Sequence, residues 1–168
     1  MDVTAGTTGS MGTTRDPYTA TMILGDDDCW ALLREAEVGR LAVSIARHPD
    51  IFPINYVVDG RDIVFRTSAG TKLAAAVLGD AVAFEIDGYD PDAGEAWSVV
   101  VKGSAEQIEG WVDKDRVERL PLFPWNASPK FDFVRIVADE VTGRRFHVTD
   151  HSAWPVAGTL DDPGEMVG

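Results

Sequence analysis

Short β-rich segments separated by tight turns fill the middle of this chain, and this pattern constrains the fold more than any other feature. The clearest turn is the dipeptide Asp59-Gly60, which stands between the apolar segments 51–58 and 63–67. Asp-Gly favours the backbone geometry of a two-residue type I′ hairpin loop. We therefore expect these two segments to pair as neighbouring antiparallel strands.

The remaining strand-like segments extend this pattern along the chain. Leu41, Val43 and Ile45 alternate with small or polar residues, as in a strand with one buried face. Gly103 is expected to mark a bend or bulge in a long strand, and Thr142-Gly143 predicts a final hairpin. The further strands are expected at residues 40–46, 81–86, 97–108, 131–141 and 145–148. Mostly antiparallel strands with few helices predict a barrel of the mainly β class.

Helices are expected at three places. The acidic residues 26–28 precede apolar residues at helical spacing, which places anions at the positive end of a helix that Gly39 would end. Residues 69–78 and 113–120 also have helical composition. The polar ends of the chain favour one domain at residues 21–150, with tails at residues 1–20 and 151–168.

The charge of the chain excludes some classes of partner. Its 168 residues contain 15 Lys and Arg against 28 Asp and Glu, a net charge of −13, so neither nucleic acid nor an anionic membrane is an expected partner. Cys29 is the single cysteine, which rules out an intramolecular disulfide and favours a reducing compartment. Because no apolar run approaches the roughly 18 residues of a membrane span, we expect a cytoplasmic location.

The segment 66–72, RTSAGTK, is the best candidate for a phosphate site. It places two cations, three hydroxyls and a glycine at a predicted junction of strand and helix, where free backbone N–H groups favour an anion. No Asp or Glu occurs in residues 63–79 of this acidic chain. The alternative is an ordinary helix N-terminus with two surface cations.

Nucleotide sites of two common kinds are excluded by glycine spacing. Gly70-Thr71-Lys72 lacks the upstream glycine of a P-loop, and no two glycines stand two residues apart, so a GxGxxG motif is impossible. A metal site at His147, Asp150 and His151 is not expected, since these residues are predicted to leave a strand through a turn. The loop around Asp90 lacks the ligand spacing of a calcium loop.

Two strand segments have side chains that suit a flat ring. Pro53 cannot donate to a ladder, and the Asn55 amide and Tyr56 phenol follow it on the same predicted strand. Trp97-Ser98 sets a large aromatic surface beside a hydroxyl. Core packing is the alternative for Trp97.

Seven blocks of this sequence, taken in order, resemble the pyridoxamine 5′-phosphate oxidase-like FMN-binding split-barrel family. The resemblance covers about residues 24–147 and is strongest to the single-domain, nitroimidazole-reductase-like branch. The blocks are VGRLAV (38–43), PINYVVDG (53–60), VFRTSAGTKL (64–73), VAFEIDGYD (82–90), WSVVVKGSAE (97–106), FPW (123–125) and VRIVADEVTGRRF (134–146).

The resemblance implies a six-stranded antiparallel Greek-key split barrel that forms a homodimer, with two FMN molecules in clefts between the subunits. Arg66, Thr71 and Lys72 would hold the FMN phosphate, and Thr67 would lie along the ribityl chain or the ring. The cofactor-binding residues that the resemblance implies are Ile54, Asn55, Tyr56, Arg66, Thr67, Thr71, Lys72, Trp97 and Ser98.

Residues 54–56 would offer backbone groups to the isoalloxazine ring, and Trp97 and Ser98 would approach it from the partner subunit. The founding enzyme of the family binds its substrate with an Arg-x-His pair, which Arg145-Phe146-His147 resembles. Here the pair lies inside the VTGRRF block and the C-terminal dimerisation segment is missing, so pyridoxamine phosphate is not the expected substrate.

The resemblance implies a flavoprotein that passes electrons from reduced flavin to a small electron-poor acceptor. Alternatives are a reductase that uses the deazaflavin coenzyme, and a non-catalytic flavin-binding or haem-binding protein on the same scaffold. No catalytic acid or base is assigned, because Tyr56 and His147 qualify only if the fold brings them to the ring.

Overall fold

The computed structural model of the chain describes residues 14–15, 21–68, 81–122 and 132–148. Short strands and two helices alternate along this part of the chain. In chain order the elements are β1 (Thr14–Arg15), β2 (Met22–Leu24), α1 (Asp26–Glu35), β3 (Val38–Ile45), β4 (His48–Asp59), β5 (Asp62–Thr67), β6 (Ala81–Asp90), β7 (Glu95–Gln107), α2 (Trp111–Glu118) and β8 (Asp132–His147).

Six of the strands close into an antiparallel barrel. The sheet runs β8-β5-β4-β3-β6-β7, and β7 pairs again with β8 to complete the ring. Because β6 lies beside β3, the strands β6-β3-β4-β5 have the spatial order of a Greek key. The short strands β1 and β2 continue the sheet from β8. The predicted fold class, a mainly β six-stranded antiparallel Greek-key barrel with short helices, is confirmed.

Alternating side chains of the six barrel strands fill the interior, as the strand period of two requires. Phe65 and Phe84 are among the largest fully buried side chains, and the Tyr56 and Phe84 rings meet edge to face at 4.7 Å between centroids. The inward-facing members of this core are Leu41, Val43, Ile54, Tyr56, Ile63, Phe65, Val82, Phe84, Ile86, Val99, Val101, Ala105, Val134 and Ile136.

Helix α1 packs against the same core. Asp26, Asp27 and Asp28 occupy its first turn, where they meet the positive end of the helix dipole. Its buried face consists of Cys29, Trp30 and Leu33, each at most 3% exposed. The predicted end of this helix at Gly39 is wrong: Gly39 lies in β3, where a Cβ atom would overlap the ring of Phe84.

Helix α2 covers a second apolar cluster on the outside of β5 and β8. This cluster consists of Val64, Ile108, Val117, Leu122 and Phe133. A side chain of the helix, Arg116, also donates to Asp59 at 2.7 Å, which ties α2 to the hairpin between β4 and β5. Strand β5 is therefore buried on both faces. The outer face of a barrel strand is buried only where another element, here α2, covers it.

The hairpin predicted at Asp59-Gly60 exists, but its turn differs from the prediction. The two loop residues are Gly60 and Arg61, and Gly60 has a φ of +67° while Arg61 has no positive φ, which fits type II′ rather than type I′. The β3–β4 hairpin has the two positive φ angles of type I′, at Ala46 (49°) and Arg47 (69°).

The hairpin predicted at Thr142-Gly143 is wrong, because β8 continues through both residues as one strand. Gly143 is needed for packing instead, since a Cβ atom there would lie 2.6 Å from the Cys29 sulfur. The irregularity predicted at Gly103 is confirmed by a shift in register between β7 and β8 at Lys102 and Gly103. The helix predicted at residues 69–78 lies outside the described residues.

Within the predicted tail of residues 1–20, the structure describes only Thr14–Arg15, which pairs with β2. The domain boundaries at residues 20 and 150 stay a prediction. No helix in the described ranges is long and apolar enough to cross a bilayer.

Candidate functional site

The barrel opens between β4 and β5. Strand β4 pairs with β3 up to Asn55 and with β5 only from Tyr56 onward, where Tyr56 lies opposite Phe65. Beyond that pair β5 continues against β8 through Arg66 and Thr67, without a partner on the β4 side among the described residues. The two strands therefore diverge, and we call the opening beside Asn55 and Arg66 the split.

Two N–H donors border the split without an acceptor in the described part of the chain. They are Asn55 Nδ2 and Arg66 Nε, and both atoms are buried. Ile54, Tyr56 and Phe65 point into the core, so the intervening side chains of Asn55 and Arg66 point to the outer face of the barrel. A buried donor without an acceptor destabilises the free protein by about 1–3 kcal/mol, so the split favours a ligand that is rich in acceptors.

The position of Arg66 is fixed by aromatic packing. Its guanidinium carbon lies 4.5 Å from the centroid of the Phe133 ring, in the geometry of a cation–π contact. Thr67, the next residue, is 3% exposed. Thr71 and Lys72, the rest of the predicted phosphate site, lie outside the described residues. The structure thus places the strand half of this segment at the split.

A cavity of about 380 Å³ lies next to Asn55, between the end of α1 and β4. Tyr56 also lines it, but the Tyr56 hydroxyl is committed to the interior, where it donates to the Leu33 carbonyl at 2.7 Å. Burial raises the pKa of the Tyr56 phenol above its ordinary value, so the phenol stays neutral. Tyr56 is therefore a structural donor, and the fold does not offer it as a catalytic base.

Trp97 and Ser98 lie on the opposite side of the barrel from the split. They belong to β7, which is three strands away from β4 around the ring, and they line a separate cavity of about 490 Å³. The Trp97 indole covers Gly88, where any Cβ atom would overlap the ring. A single chain therefore does not bring Trp97 and Ser98 together with Asn55 and Arg66.

The Arg145-Phe146-His147 segment also lies away from the split, at the end of β8. Glu95 lies between the two basic side chains, 4.0 Å from Arg145 Nε and 3.5 Å from His147 Nε2. His147 is 74% exposed, so it does not face a ring bound in the split. Sequence reasoning assigned no role to Glu95, because only strand pairing brings it opposite His147.

In the described ranges, no group of three or more His, Cys, Asp or Glu side chains is suited to hold an ion. The expectation that neither of the disfavoured motifs is a metal site stays a prediction. The Asp90 carboxylate instead accepts from the backbone N–H groups of Asp92 and Ala93, at 2.9 and 3.1 Å, and so closes the turn between β6 and β7. His151 and Asp150 lie outside the described residues.

Comparison with known proteins decides the family. A sequence profile of the pyridoxamine 5′-phosphate oxidase family matches residues 25–145. The chain belongs to this family. The FAD binding protein of Mycobacterium smegmatis is similar at 37% identity and a TM-score of 0.66, over 74% of this chain and 97% of that one.

Two further proteins are similar to this chain, and they differ in sequence identity to it. An uncharacterised Mycobacterium tuberculosis protein is 37% identical over 128 residues, which cover 73% of this chain and 83% of the relative. The FAD and heme binding protein of M. smegmatis covers 76% of this chain and 75% of its own, with a TM-score of 0.60. At 15% identity it shares the fold alone.

Proposed function

We propose that this protein binds a flavin in the split. The observation that carries the proposal is the pair of buried donors, Asn55 Nδ2 and Arg66 Nε, which have no acceptor among the described residues. An isoalloxazine ring presents carbonyl oxygens and ring nitrogens as acceptors, and the flavin phosphate is an anion that a guanidinium binds well. Similarity to an FAD binding protein at 37% identity supports the same ligand class.

The proposed residue roles are those that the family resemblance implies. Arg66 would bind the phosphate together with Thr71 and Lys72, and Thr67 would lie along the ribityl chain or the ring. Residues 54–56 would offer backbone groups to the ring, since β4 carries no strand on its β5 side before Tyr56 in the described part of the chain.

We propose that a second copy of the chain completes the site. Trp97 and Ser98 lie too far around the ring of strands to reach the split of their own chain, so they would reach the flavin of the partner subunit. Tyr89 and Phe146, which line the same cavity as Trp97, are 58% and 43% exposed, as expected for a face close to a subunit interface. We therefore propose a homodimer.

A bound flavin supplies hydride and electron transfer, and the protein supplies placement. We propose an oxidoreductase in which electrons from reduced flavin reach a small electron-poor acceptor. The chain's own part is to hold the phosphate with cations and to orient the ring on the β4 backbone, with Trp97 and Ser98 of the partner subunit approaching the ring. The cytoplasmic location stays a prediction.

FMN is the proposed form of the flavin, and FAD is the second candidate because the similar M. smegmatis protein binds FAD. The deazaflavin coenzyme would need much the same cations. Haem has less support, because His48 and His147, the two histidines in the described ranges, are exposed rather than directed into a cavity.

The absorption spectrum and mass of the small molecule that copurifies with the protein test this proposal. Oxidised flavin bands with the mass of FMN are expected. The mass of FAD would correct the form of the cofactor, whereas a Soret band, or failure to bind added flavin, would overturn the proposal. In a titration by flavin fluorescence, Lys72→Ala should weaken FMN binding much more than riboflavin binding, because riboflavin lacks the phosphate.

Light scattering of the flavin-loaded protein tests the shared cleft. We expect a dimer with one flavin per chain. A monomer that keeps one flavin per chain would show that Trp97 and Ser98 of a second copy are not needed.

A further inference from the structure

The outer face of the barrel carries two aromatic side chains on either side of a small one. Tyr89 of β6 lies opposite Ala96 of β7, and Ala96 lies opposite Phe146 of β8. All three belong to the outward-facing set, because the neighbouring residues Trp97 and Val99 pack toward the core. Tyr89 and Phe146 are 58% and 43% exposed, and we call the space between them the aromatic slot.

The usual spacing of strands leaves room for about one flat ring in the slot. Neighbouring strands are about 4.8 Å apart, so the backbones that carry Tyr89 and Phe146 are separated by about 10 Å, with only the Ala96 methyl between them. A ring that touches an aromatic face on both sides needs roughly 7 Å between the two faces. The cavity at this place, about 490 Å³, is open to solvent and lined by all three residues.

The next row of side chains supplies hydrogen bonds to one end of the slot. Ser98 lies beside Ala96 on the outer face of β7, and its cross-strand neighbours are Asp87 and Arg144. The Asp87 carboxylate is paired with Arg40, which leaves the Ser98 hydroxyl and the Arg144 guanidinium as donors. The slot therefore suits a flat ring that carries an acceptor oxygen at one end.

We propose that the aromatic slot binds a planar aromatic compound with a carbonyl-type oxygen, stacked between Tyr89 and Phe146 with its oxygen toward Ser98 and Arg144. This inference rests on the proposed function, since Trp97 and Ser98 would bring the slot beside the flavin of the partner subunit. It then names the chemical class of the electron acceptor. The role of Tyr89 and Phe146 was invisible in the sequence, because strand pairing alone brings them to either side of Ala96.

Benzamide and cyclohexanecarboxamide form a matched pair of probes, because they share the amide and differ in whether the ring is flat. We expect benzamide to bind the full-length protein about tenfold more tightly than cyclohexanecarboxamide, as measured by ligand-observed NMR and calorimetry, since only a flat ring can stack on two aromatic faces. Equal binding of the two probes would overturn the proposal.

Substitutions in the slot test whether benzamide binds there. Tyr89→Ala and Phe146→Ala should each reduce the preference for benzamide several-fold, and Ala96→Leu should abolish it by filling the slot. Ile51→Ala is the matched control, because Ile51 is an apolar side chain that is 61% exposed on β4, and it should leave binding unchanged. Benzamide binding that survives Ala96→Leu would contradict the proposal.

Two further measurements test whether a second copy of the chain, or the flavin itself, occupies the slot instead. If Ala96→Leu turns a dimer into monomers in light scattering, the face is buried between copies and the proposal fails. If benzamide binds the flavin-free protein and loses its preference once flavin is loaded, the slot belongs to the flavin and the proposal fails. Flavin loading is measured separately, from the absorption spectrum. A protein that binds no flavin but still prefers benzamide to cyclohexanecarboxamide would refute the proposed function and support the slot.

Discussion

Strands β6 and β7 are paired along the whole of residues 81–90, whereas β4 and β5 are paired only over residues 56–59 and 62–65. The first pair closes one side of the barrel and continues into β8, with one shift in register at Lys102 and Gly103. The second pair ends at Tyr56 and Phe65, and the residues beyond that pair, Asn55 and Arg66, carry buried donors that have no acceptor among the described residues. The first pair has a continuous ladder of backbone hydrogen bonds, whereas the second ends where the candidate site begins.

This difference suggests that the residues that matter most for stability and those proposed for binding lie on different sides of the barrel. On the closed side, glycines allow close contact: Gly88 lies beneath the Trp97 ring and Gly103 beside the Val137 backbone. On the split side, Asn55 and Arg66 carry buried donors without acceptors among the described residues, which costs stability in the free protein. Substitutions on the closed side should therefore change folding first, and substitutions at the split should change binding first.

The largest effect is expected for Gly103→Ala on the closed side. A Cβ atom there would overlap the Val137 carbonyl oxygen and lie 2.9 Å from its carbonyl carbon. Because backbone atoms of a paired strand cannot move aside cheaply, we expect the free energy of unfolding to fall by about 3 kcal/mol or more. Urea denaturation of the flavin-free protein measures this loss.

Gly110→Ala is the control for that change. A Cβ atom at Gly110 meets only Asp113 Oδ2, at an ordinary 3.5 Å, so we expect a loss below about 1 kcal/mol. Equal losses in the two variants would mean that the strain at the β7–β8 irregularity is relieved by backbone adjustment and that the closed side is less rigid than its pairing indicates.

At the split, Arg66→Gln should show the opposite behaviour. Loss of a charge-assisted hydrogen bond costs about 1.5–3 kcal/mol, so flavin affinity should fall about 10- to 100-fold. The free energy of unfolding without flavin should change by less than about 1 kcal/mol, the size of the lost contact with Phe133. Flavin fluorescence and urea denaturation give the two values, and Arg47→Gln in the exposed β3–β4 turn serves as control. A variant that keeps flavin but unfolds easily would make Arg66 a structural residue.

The fold could be predicted because its signals are local. Alternation in residues 40–46 and the Asp59-Gly60 turn specify strands and a hairpin without any knowledge of partners. The errors come from glycines that serve packing. The sequence pattern predicts a helix end at Gly39 and a turn at Gly143, yet each glycine makes room for a side chain of another element, Phe84 in one case and Cys29 in the other. A single sequence does not distinguish these two uses of glycine.

The candidate site, which stays a prediction, has only part of its signal in the local sequence. The RTSAGTK segment has an unusual local composition, but the position of Arg66 beside Asn55 depends on where β4 leaves β3 for β5. That exchange of partners is a property of the closed barrel, and no local pattern encodes it. Trp97 and Ser98 illustrate the limit, because a single chain keeps them on the far side of the ring.

A smaller change in the free energy of unfolding is expected for Tyr56→Phe, in the last β4–β5 residue pair next to the split. Loss of the 2.7 Å hydrogen bond to the Leu33 carbonyl should cost about 1 kcal/mol at neutral pH. Burial raises the pKa of the Tyr56 phenol in the folded state, so its stabilising contribution is complete below the unfolded value of about 10 and declines above it. Above about pH 10 the parent should therefore lose stability more steeply than the variant, by about 1.4 kcal/mol per pH unit. Parallel curves from urea denaturation at pH 8 to 11 would show that Tyr56 is solvated in the folded protein.

The smallest effect, and the sharpest test of the split, is expected for Asn55→Ala. Because Asn55 Nδ2 is buried without an acceptor in the described part of the chain, its removal should leave the free energy of unfolding within about 0.5 kcal/mol of the parent or raise it. Flavin affinity should fall about 3- to 10-fold, the value of one neutral hydrogen bond. Lys102→Ala is the control on the closed side, where Lys102 Nζ donates to Glu140 at 2.9 Å, and it should not alter flavin affinity. If Asn55→Ala instead destabilises the flavin-free protein by more than about 1 kcal/mol and binds flavin normally, Asn55 has an acceptor within the folded chain and the split is not the flavin site.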